Sequence, residues 1–301
     1  MSTQTTPALH RRAVITLIFC CFLWSIAGVV TRNLDSAKSF EVTFWRSFFC
    51  GVSLIIWFVW NERGAAWQHI VSSGRAGFIS GVCWAVMFTC FMIALTLTST
   101  ANTLIVNSLS PLITALLAWI VLKSPIPGRT WLAIAVAIIG MALMFGSALE
   151  GKSGAALGMM IAFGVPVAAA VNLINLKKAG AQIDLAPAVL IGAIISCAIT
   201  LPLSLPFSAS LKDVALLALL GVFQLAIPCV LLIRAVKHLS APETALLGML
   251  EIIMGPLWTW LFAGETPALL TLVGATIVIA ALVLNELMPE RRSTVVQSPA
   301  K

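Results

Sequence analysis

The sequence has 301 residues, of which 60% are apolar and only 10% charged, and its mean hydropathy is +1.05. Soluble domains carry roughly 25% charged residues, so this composition excludes a water-soluble fold. The net charge is +7, but no run of basic residues exceeds two, which argues against a nucleic-acid-binding patch. All seven cysteines fall inside apolar segments, a distribution that predicts neither a disulfide framework nor a metal site.

Ten apolar segments follow one another along the chain. Each is long enough to cross the ~30 Å hydrocarbon layer as a helix, which takes about 20 residues. They are predicted at 13–31, 40–60, 76–97, 100–122, 129–147, 154–176, 185–206, 213–234, 241–262 and 267–286. The first segment follows Arg11 and Arg12 and is longer than the apolar part of a signal peptide, so it is predicted to stay in the membrane. The sequence therefore predicts an all-α integral membrane protein with ten transmembrane helices.

The basic residues are distributed unevenly between the two sides of the membrane. If the N-terminus is cytoplasmic, thirteen of the eighteen Lys and Arg residues lie in cytoplasmic loops and tails, four lie in outer loops, and Arg46 lies within the second span. Positive charge concentrates on the cytoplasmic side of membrane proteins. Both termini are therefore predicted to be cytoplasmic, with tails at 1–12 and 287–301.

An internal repeat relates the two halves of the chain. A shift of 141 residues aligns the fourth span with the ninth without a gap, and it places identical residues together, for example Ser99 on Ser240 and Leu109 on Leu250. A shift of 142 aligns the first span more weakly with the sixth. Because each half has five spans, the second half enters the membrane from the opposite side. The prediction is two inverted five-helix repeats, at 13–147 and 154–286, an architecture common in secondary transporters.

The fourth and ninth spans each carry a stripe of polar and small residues, spaced three or four apart so that they share one helix face. The stripes are Thr103, Asn107, Ser110, Pro111 and Thr114 on the fourth span, and Thr244, Gly248, Glu251, Gly255 and Thr259 on the ninth. Such stripes face protein or water rather than lipid. Gly- or Pro-interrupted spans at equivalent places in two repeats also indicate a binding site. We therefore expect the substrate path between these two spans.

Two charged residues lie inside the predicted spans. Glu251 is about 15 Å into the ninth span, at mid-bilayer, where a carboxylate costs about 2.5–3.5 kcal/mol. It either binds a substrate amine or a coupling proton, or it forms a structural hydrogen bond between helices. Arg46 is ~9 Å into the second span. It either holds a substrate carboxylate, forms a structural ion pair with Glu251, or reaches a lipid headgroup.

Neutral side chains complete the candidate substrate-binding set. The amides of Asn107 and Gln224 either line a site or join helices. Trp24 and Trp84 either form the wall of a cavity or serve in packing and anchoring. The whole set is Glu251, Arg46, Asn107, Ser110, Thr103, Gln224, Trp24 and Trp84. No catalytic residue, metal ligand or cofactor is predicted, because the three histidines lie in tails or loops.

Other classes of membrane protein are disfavoured by what the sequence lacks. An intramembrane enzyme needs a nucleophile with a base or a metal cluster, and neither Gly-x-Ser-x-Gly nor His-Glu-x-x-His is present. A channel for small solutes would show a repeated filter or a ring of charged residues. An ATP-driven pump would show a phosphate-binding Gly-rich loop with Lys. Energy is therefore expected to come from a gradient or from exchange.

The chain resembles the EamA-type, ten-span branch of the drug/metabolite transporter superfamily over essentially its whole length. The resembling pieces are Leu23-Trp24, Arg46, Ala94, Ser110-Pro111-Leu112, Leu250-Glu251 and Gly264-Glu265. Two pieces depart from the family pattern: Lys123-Ser124 replaces the usual Gly-Glu, and Leu250-Glu251-Ile252 replaces Leu-Glu-Pro. The resemblance implies a pseudo-two-fold bundle with a central cavity that exports or exchanges small metabolites, often amino acids, across an inner (plasma) membrane.

The sequence thus predicts a secondary transporter working by alternating access, with a small-molecule substrate and the lipid bilayer as partners. Proton coupling, exchange and facilitated diffusion stay open as energy sources. One fixed cation and one buried carboxylate suit a zwitterion such as an amino acid. A self-neutralising pair of Arg46 and Glu251 would instead suit a neutral or aromatic solute.

Overall fold

The computed structural model describes residues 7–62, 74–123, 126–150, 154–179, 185–235, 238–239 and 241–287. Residues 1–6 and 288–301, most of the two predicted tails, lie outside this range. The described residues form ten helices, some of them interrupted, which are joined by short connectors, and no strand occurs among these residues. This arrangement confirms the all-α fold predicted from the sequence.

The ten helices follow the predicted spans closely. They are α1 (Pro7–Ser25 and Ala27–Arg32), α2 (Ser39–Glu62), α3 (Gly74–Leu97), α4 (Thr100–Asn107 and Ser110–Leu122), α5 (Gly128–Glu150), α6 (Ala155–Ala162 and Gly164–Ala179), α7 (Leu185–Ser204), α8 (Leu211–Leu219, the π-helical Leu220–Ala226 and Ile227–Ala235), α9 (Ala241–Ala263) and α10 (Leu269–Leu287). The largest difference is at the start of α1, which begins six residues before the predicted span. The eight helices α1 to α8 are long and apolar enough to span a membrane. Shorter apolar stretches, Leu247–Ala263 and Leu269–Asn285, lie in α9 and α10.

The helix packing has two-fold pseudosymmetry, in which each helix exchanges with the helix five positions later. Thus α3 packs against α7 as α8 packs against α2, and α3 packs against α6 as α8 packs against α1. Likewise α4 packs against α6 as α9 packs against α1. The pairs α2–α7 and α5–α10 lie across the pseudo-axis. Because each repeat contains an odd number of antiparallel helices, the two repeats run in opposite directions through the membrane.

Several helices are interrupted near their middle. In α4 a turn at Ser108 and Leu109 separates two helical segments, with Pro111 at the start of the second. Its counterpart α9 also contains a proline, Pro256, but it stays helical through that residue. A proline removes only one backbone donor, and the backbone groups it frees in a membrane helix are satisfied by neighbouring groups and small local adjustments. Besides α4, three other helices are interrupted: α1 at Ile26, α6 at Phe163, and α8 at the π-helical segment Leu220–Ala226.

The α5–α10 pair depends on two facing glycines. A β-carbon on Gly140 would lie 2.7 Å from the carbonyl oxygen of Gly274 and 2.8 Å from Cγ2 of Val278. Since the first of these neighbours is backbone, it cannot move aside without moving α10. Small residues at such contacts let membrane helices approach closely.

Replacing Gly140 with alanine is therefore expected to destabilise the protein, with overpacking of a tight contact costing about 1–3 kcal/mol. The measurement is the thermal unfolding temperature of the detergent-solubilised protein. Gly146→Ala is the matched control on the same helix, because a β-carbon there meets no atom within 4 Å. Equal unfolding temperatures for the two variants would contradict the close α5–α10 contact.

Candidate functional site

A central cavity of about 200 Å³ lies among seven of the helices. Its lining residues come from α1, α2, α3, α4, α6, α8 and α9, and they are Trp24, Arg46, Trp84, Met87, Phe88, Phe91, Asn107, Val165, Gln224, Leu225 and Glu251. Ligand sites typically combine apolar and aromatic walls with a few placed polar groups. This cavity has that composition, with one cation, one carboxylate and two amides.

Arg46 is the cationic group of the cavity and is almost fully buried, with 2% of its surface exposed. Its Nε donates a hydrogen bond to Oε1 of Gln224 at 3.0 Å. Its guanidinium carbon lies 5.7 Å from the centre of the Phe88 ring and 5.8 Å from that of Phe91, within cation–π range. Its Nη1 is buried and has no hydrogen-bond partner among the described residues. A buried donor without a partner costs about 1–3 kcal/mol, more when charged, so Nη1 is available to donate a hydrogen bond to a ligand.

Glu251 lies on α9 and is half-buried, and it lines the same cavity as Arg46. The two side chains are both described, and they do not form an ion pair. The self-neutralising arrangement is therefore not present in this conformation. A cationic and a carboxylic side chain thus line one cavity without direct contact between them.

A second cavity of about 150 Å³ adjoins the first between α4 and α9. It shares Asn107 and Glu251 with the central cavity, and its complete lining is Asn107, Ser108, Ser110, Pro111, Gly248, Met249, Glu251 and Ile252. Apart from Ile252, the other lining residues lie nearer than Asn107 and Glu251 to the face at which α1 begins, which we call the N-terminal face. A β-carbon on Gly248 would meet no atom within 4 Å, so the helices are well separated there. The second cavity thus lies on the side of the central cavity that faces the N-terminal face.

Toward the opposite face, the central cavity is closed by an apolar cluster. Phe91 and Val165 line the cavity and also belong to this cluster, which contains Ala27, Val42, Phe91, Met92, Leu95, Leu104, Val165, Leu217 and Leu220. The cluster joins the adjoining ends of α1, α2, α3, α4, α6 and α8. Apolar side chains therefore lie between the central cavity and the opposite face.

Beyond the cluster lies a polar contact that we call the latch, formed by Arg32, Thr100 and Glu265. Arg32 Nε donates to Glu265 Oε2 at 2.6 Å, and its two Nη atoms donate to the carbonyl oxygens of Leu95 and Thr98 at the end of α3. Glu265 Oε1 accepts the backbone N–H of Thr100, at the start of α4, at 2.7 Å. A cation at a helix C-terminus and an anion at a helix N-terminus are both favourable. The latch joins α1, α3, α4 and the end of α9 at what we call the latch face.

The cavities bring together most of the predicted site residues. Six of the eight line the central cavity, and Ser110 lines the adjoining one, where its hydroxyl donates to the Asn107 carbonyl oxygen at 2.7 Å. Thr103 lines neither cavity. It is buried, and its hydroxyl donates to the Ser99 carbonyl oxygen one helical turn earlier, at 3.1 Å.

Sequence reasoning missed Phe88 and Phe91, which flank the guanidinium of Arg46. Together with Trp84 and Met87 they share one face of α3, at spacings of three and four residues. That periodicity was visible in the sequence, but apolar spacing has little meaning in a membrane helix whose lipid face is apolar too. Among the residues that the structure describes, no group of three His, Cys, Asp or Glu side chains could hold a metal ion.

Comparison with known proteins places this architecture in one family. The model of the EamA-like transporter family matches residues 11–146 and 156–287, once in each half of the chain. The chain is similar to the pseudopaline exporter CntI of Pseudomonas aeruginosa, with 24% identity over 91% of this chain and 96% of the relative. It is also similar to the S-adenosylmethionine uptake transporter of Rickettsia prowazekii, with 24% identity over 86% of this chain and 89% of the relative.

A human relative and a solved structure extend the comparison. Solute carrier family 35 member G1 of Homo sapiens is 23% identical over 93% of this chain and 81% of its own. A known crystal structure shares the fold with a TM-score of 0.62 at 14% identity, covering 94% of this chain and 99% of the other. The relatives are named as carriers of small molecules, and the family match spans nearly the whole sequence. This protein therefore belongs to the EamA-like transporter family and is a multi-pass membrane transporter of small molecules.

Proposed function

We propose that this protein is a secondary transporter of small zwitterionic metabolites, with amino acids as its principal substrates, and that it works as an exporter or exchanger. The observation that carries the proposal is that Arg46 and Glu251 line the central cavity together without forming an ion pair. The free Nη1 of Arg46 binds the substrate carboxylate, and Glu251 binds its ammonium group or a coupling proton. Asn107 and the aromatic side chains of Trp24 and Trp84 contact the remainder of the solute.

Alternating access is supported by the asymmetry between the two faces. The latch face is closed by the apolar cluster and by the latch, whereas the α4–α9 cavity lies toward the N-terminal face. In transporters built from two repeats, one repeat rocks against the other around a central site. Transport to the latch face then requires Arg32 and Glu265 to separate, because they join helices of different repeats.

The experiment is counterflow in liposomes with the purified protein and a panel of labelled amino acids, nucleosides and carboxylates. Saturable exchange of amino acids, and weak exchange of the other two classes, is the expected result. Flux without saturation would favour the alternative, a channel for small solutes. Exchange restricted to nucleosides or to simple carboxylates would contradict a zwitterionic substrate.

The latch makes a separate prediction. Glu265→Ala removes the ion pair to Arg32 and the acceptor for the Thr100 N–H, so local opening at the end of α3 and the start of α4 becomes easier. Charge-assisted hydrogen bonds contribute about 1.5–3 kcal/mol each, so amide hydrogen exchange over 95–103 is expected to rise about tenfold or more.

The matched control for the latch is Lys212→Ala. Lys212 pairs with Asp35 at 2.8 Å on the same face, but both side chains are more than half exposed. Exposed pairs contribute less than about 1 kcal/mol, so this variant should exchange like the wild type throughout. Unchanged exchange over 95–103 in Glu265→Ala would show that the latch does not hold this face closed.

We infer that the N-terminal face is cytoplasmic and that the protein lies in the inner (plasma) membrane, with the repeats at 13–147 and 154–286. The support is the excess of Lys and Arg in the loops of that face. A reporter that fluoresces only in the cytoplasm, fused after Lys301, is expected to give full signal. Activity of a periplasm-specific enzyme fused at the same place would contradict this orientation.

A further inference from the structure

The α8 helix carries a π-helical turn, Leu220–Ala226, where it passes α2. In a π-helix each N–H bonds to the carbonyl five residues earlier, which is uncommon and occurs frequently at functional sites. Gly221 lies directly against α2 at this turn. A β-carbon there would lie 2.6 Å from the Arg46 carbonyl oxygen and 2.9 Å from the Cys50 nitrogen. The turn therefore brings α8 close to the backbone of the residue that carries the central cation.

Gln224 lies in the same π-helical turn and is 2% exposed. Its Oε1 accepts from Arg46 Nε at 3.0 Å, and its Nε2 donates to the carbonyl oxygen of Trp24 on α1 at 3.4 Å. Both ends of the amide are thus used, and the amide cannot turn without losing one bond. Gln224 therefore links the Arg46 guanidinium to the backbone of α1 through two consecutive hydrogen bonds.

Phe88 and Phe91 complete the restraint of the guanidinium. Their ring centres lie 5.7 and 5.8 Å from its central carbon. The Arg46 side chain is therefore restrained at Nε by Gln224 and by two rings of α3, while Nη1 has no partner among the described residues. Without Gln224 the guanidinium would lose the hydrogen bond that fixes Nε, and a turn toward Glu251, which lines the same cavity, would cost less.

We propose that Gln224 is a positioning residue for substrate recognition: it holds the guanidinium of Arg46 so that Nη1 faces the substrate carboxylate and not Glu251. This inference rests on the proposed function. A guanidinium that is already fixed loses less side-chain entropy on binding a carboxylate, so its preorganisation increases affinity. Gln224 then determines selectivity for carboxylate-bearing solutes without contacting the solute itself. A purely structural role would instead join α8 to α1 and α2 with no effect on selectivity.

The test uses the full-length protein in liposomes, with the twenty common L-amino acids and their carboxamides as probes. Gln224→Met keeps the length of the side chain but cannot hold Nε. Its KM for amino acid exchange is expected to rise about tenfold, its Vmax to stay within about twofold, and its preference for the amino acid over the carboxamide to fall about tenfold. Ser196→Ala is the matched control, because it removes buried interhelical hydrogen bonds, to Ser47 and Thr89, away from the cavity.

A second variant keeps the test decisive if Gln224→Met does not fold. Gln224→Glu still accepts from Arg46 Nε, but it places a carboxylate directly against the guanidinium, where it competes with a substrate carboxylate, so the same loss of preference is expected. If the variants lower Vmax equally for both probes and leave KM and preference unchanged, Gln224 is structural and this inference is overturned. A wild-type protein that does not prefer amino acids to carboxamides would overturn the proposed function as well.

Discussion

Replacing Arg46 with lysine is expected to raise the KM for amino acid exchange about ten- to hundredfold while the protein still folds. Lysine keeps the positive charge, but its single ammonium group cannot bond Gln224 through one nitrogen and a substrate carboxylate through another in the fixed geometry of a guanidinium. The loss corresponds to one charge-assisted hydrogen bond, about 1.5–3 kcal/mol. The measurement is the concentration dependence of counterflow, together with the thermal unfolding temperature of the same preparation.

Ser47→Ala is the control for this prediction. Ser47 follows Arg46 on α2 and is equally buried, but its hydroxyl bonds Ser196 on α7 outside the cavity. It should change stability slightly and KM not at all. If Arg46→Lys loses stability and exchange together, and carboxylate and non-carboxylate solutes are affected alike, then Arg46 is a structural cation. The choice of lysine matters, because a neutral residue would confound loss of charge with loss of geometry.

Most of the fold could be predicted from the sequence, because hydrocarbon thickness fixes the length of each span. The predicted bounds of α4 are those of the structure, 100–122, and most other bounds agree within about three residues. The interruptions could not be predicted as well. The turn in α4 adjoins Pro111, and the π-helical segment of α8 ends two residues before Pro228, whereas the break in α1 at Ile26 has no proline beside it. A proline in the sequence does not by itself predict a break, because α9 stays helical through Pro256.

The polar residues of the site could be predicted for a physical reason. Lipid penalises a charge or an amide so strongly that such a residue inside a span must face the protein interior. That rule identified Arg46, Asn107, Gln224 and Glu251, and all four line the central cavity. The rule does not apply to Phe88, because an aromatic side chain can face lipid, pack inside the bundle or line a cavity at little cost.

Thr103 shows that the rule, by which polar residues inside a span indicate a site, is weaker for hydroxyl groups. It was assigned to the path because it shares a helix face with Asn107, but its hydroxyl is satisfied within α4. Hydroxyl groups of Ser and Thr can bond the carbonyl oxygen one turn earlier, so they do not need a partner across the bundle. A stripe of hydroxyl residues is therefore a weaker indication of a solute path than one amide or one carboxylate.

The latch was also not predicted, although Arg32 and Glu265 were both visible in the sequence. They are 233 residues apart and lie at the ends of spans, where charges have ready access to water. Only the folded structure shows that the end of α9 lies beside the start of α4. By the pseudosymmetry, α4 and α9 are equivalent helices of the two repeats, so in the proposed alternating-access mechanism a bond between them has to break when the repeats move apart.

Replacing Glu251 with glutamine is expected to have the largest effect on transport, lowering amino acid exchange at least about tenfold. Glutamine has nearly the same size and still offers an oxygen, but it removes the negative charge from a site where no described side chain forms an ion pair with Glu251. A substrate ammonium group in the low-dielectric cavity then loses its counter-charge, and a charge-assisted hydrogen bond of about 1.5–3 kcal/mol becomes a neutral one. Amino acids should be affected, whereas the same solutes without the amino group should exchange as well as in the wild type, or better.

The pH profile separates a role in binding from a role in packing. In the wild type, lowering the pH protonates Glu251 and removes its charge, so amino acid exchange should fall toward low pH, and in Glu251→Gln the profile should be flat. Thr276→Val, at an exposed position on α10, is the control and should match the wild type at every pH. A glutamine variant that exchanges normally at every pH would show that the carboxylate has no role in transport. If counterflow persists in the variant but a pH gradient no longer drives accumulation, Glu251 carries the coupling proton, and the ammonium group is bound elsewhere in the cavity.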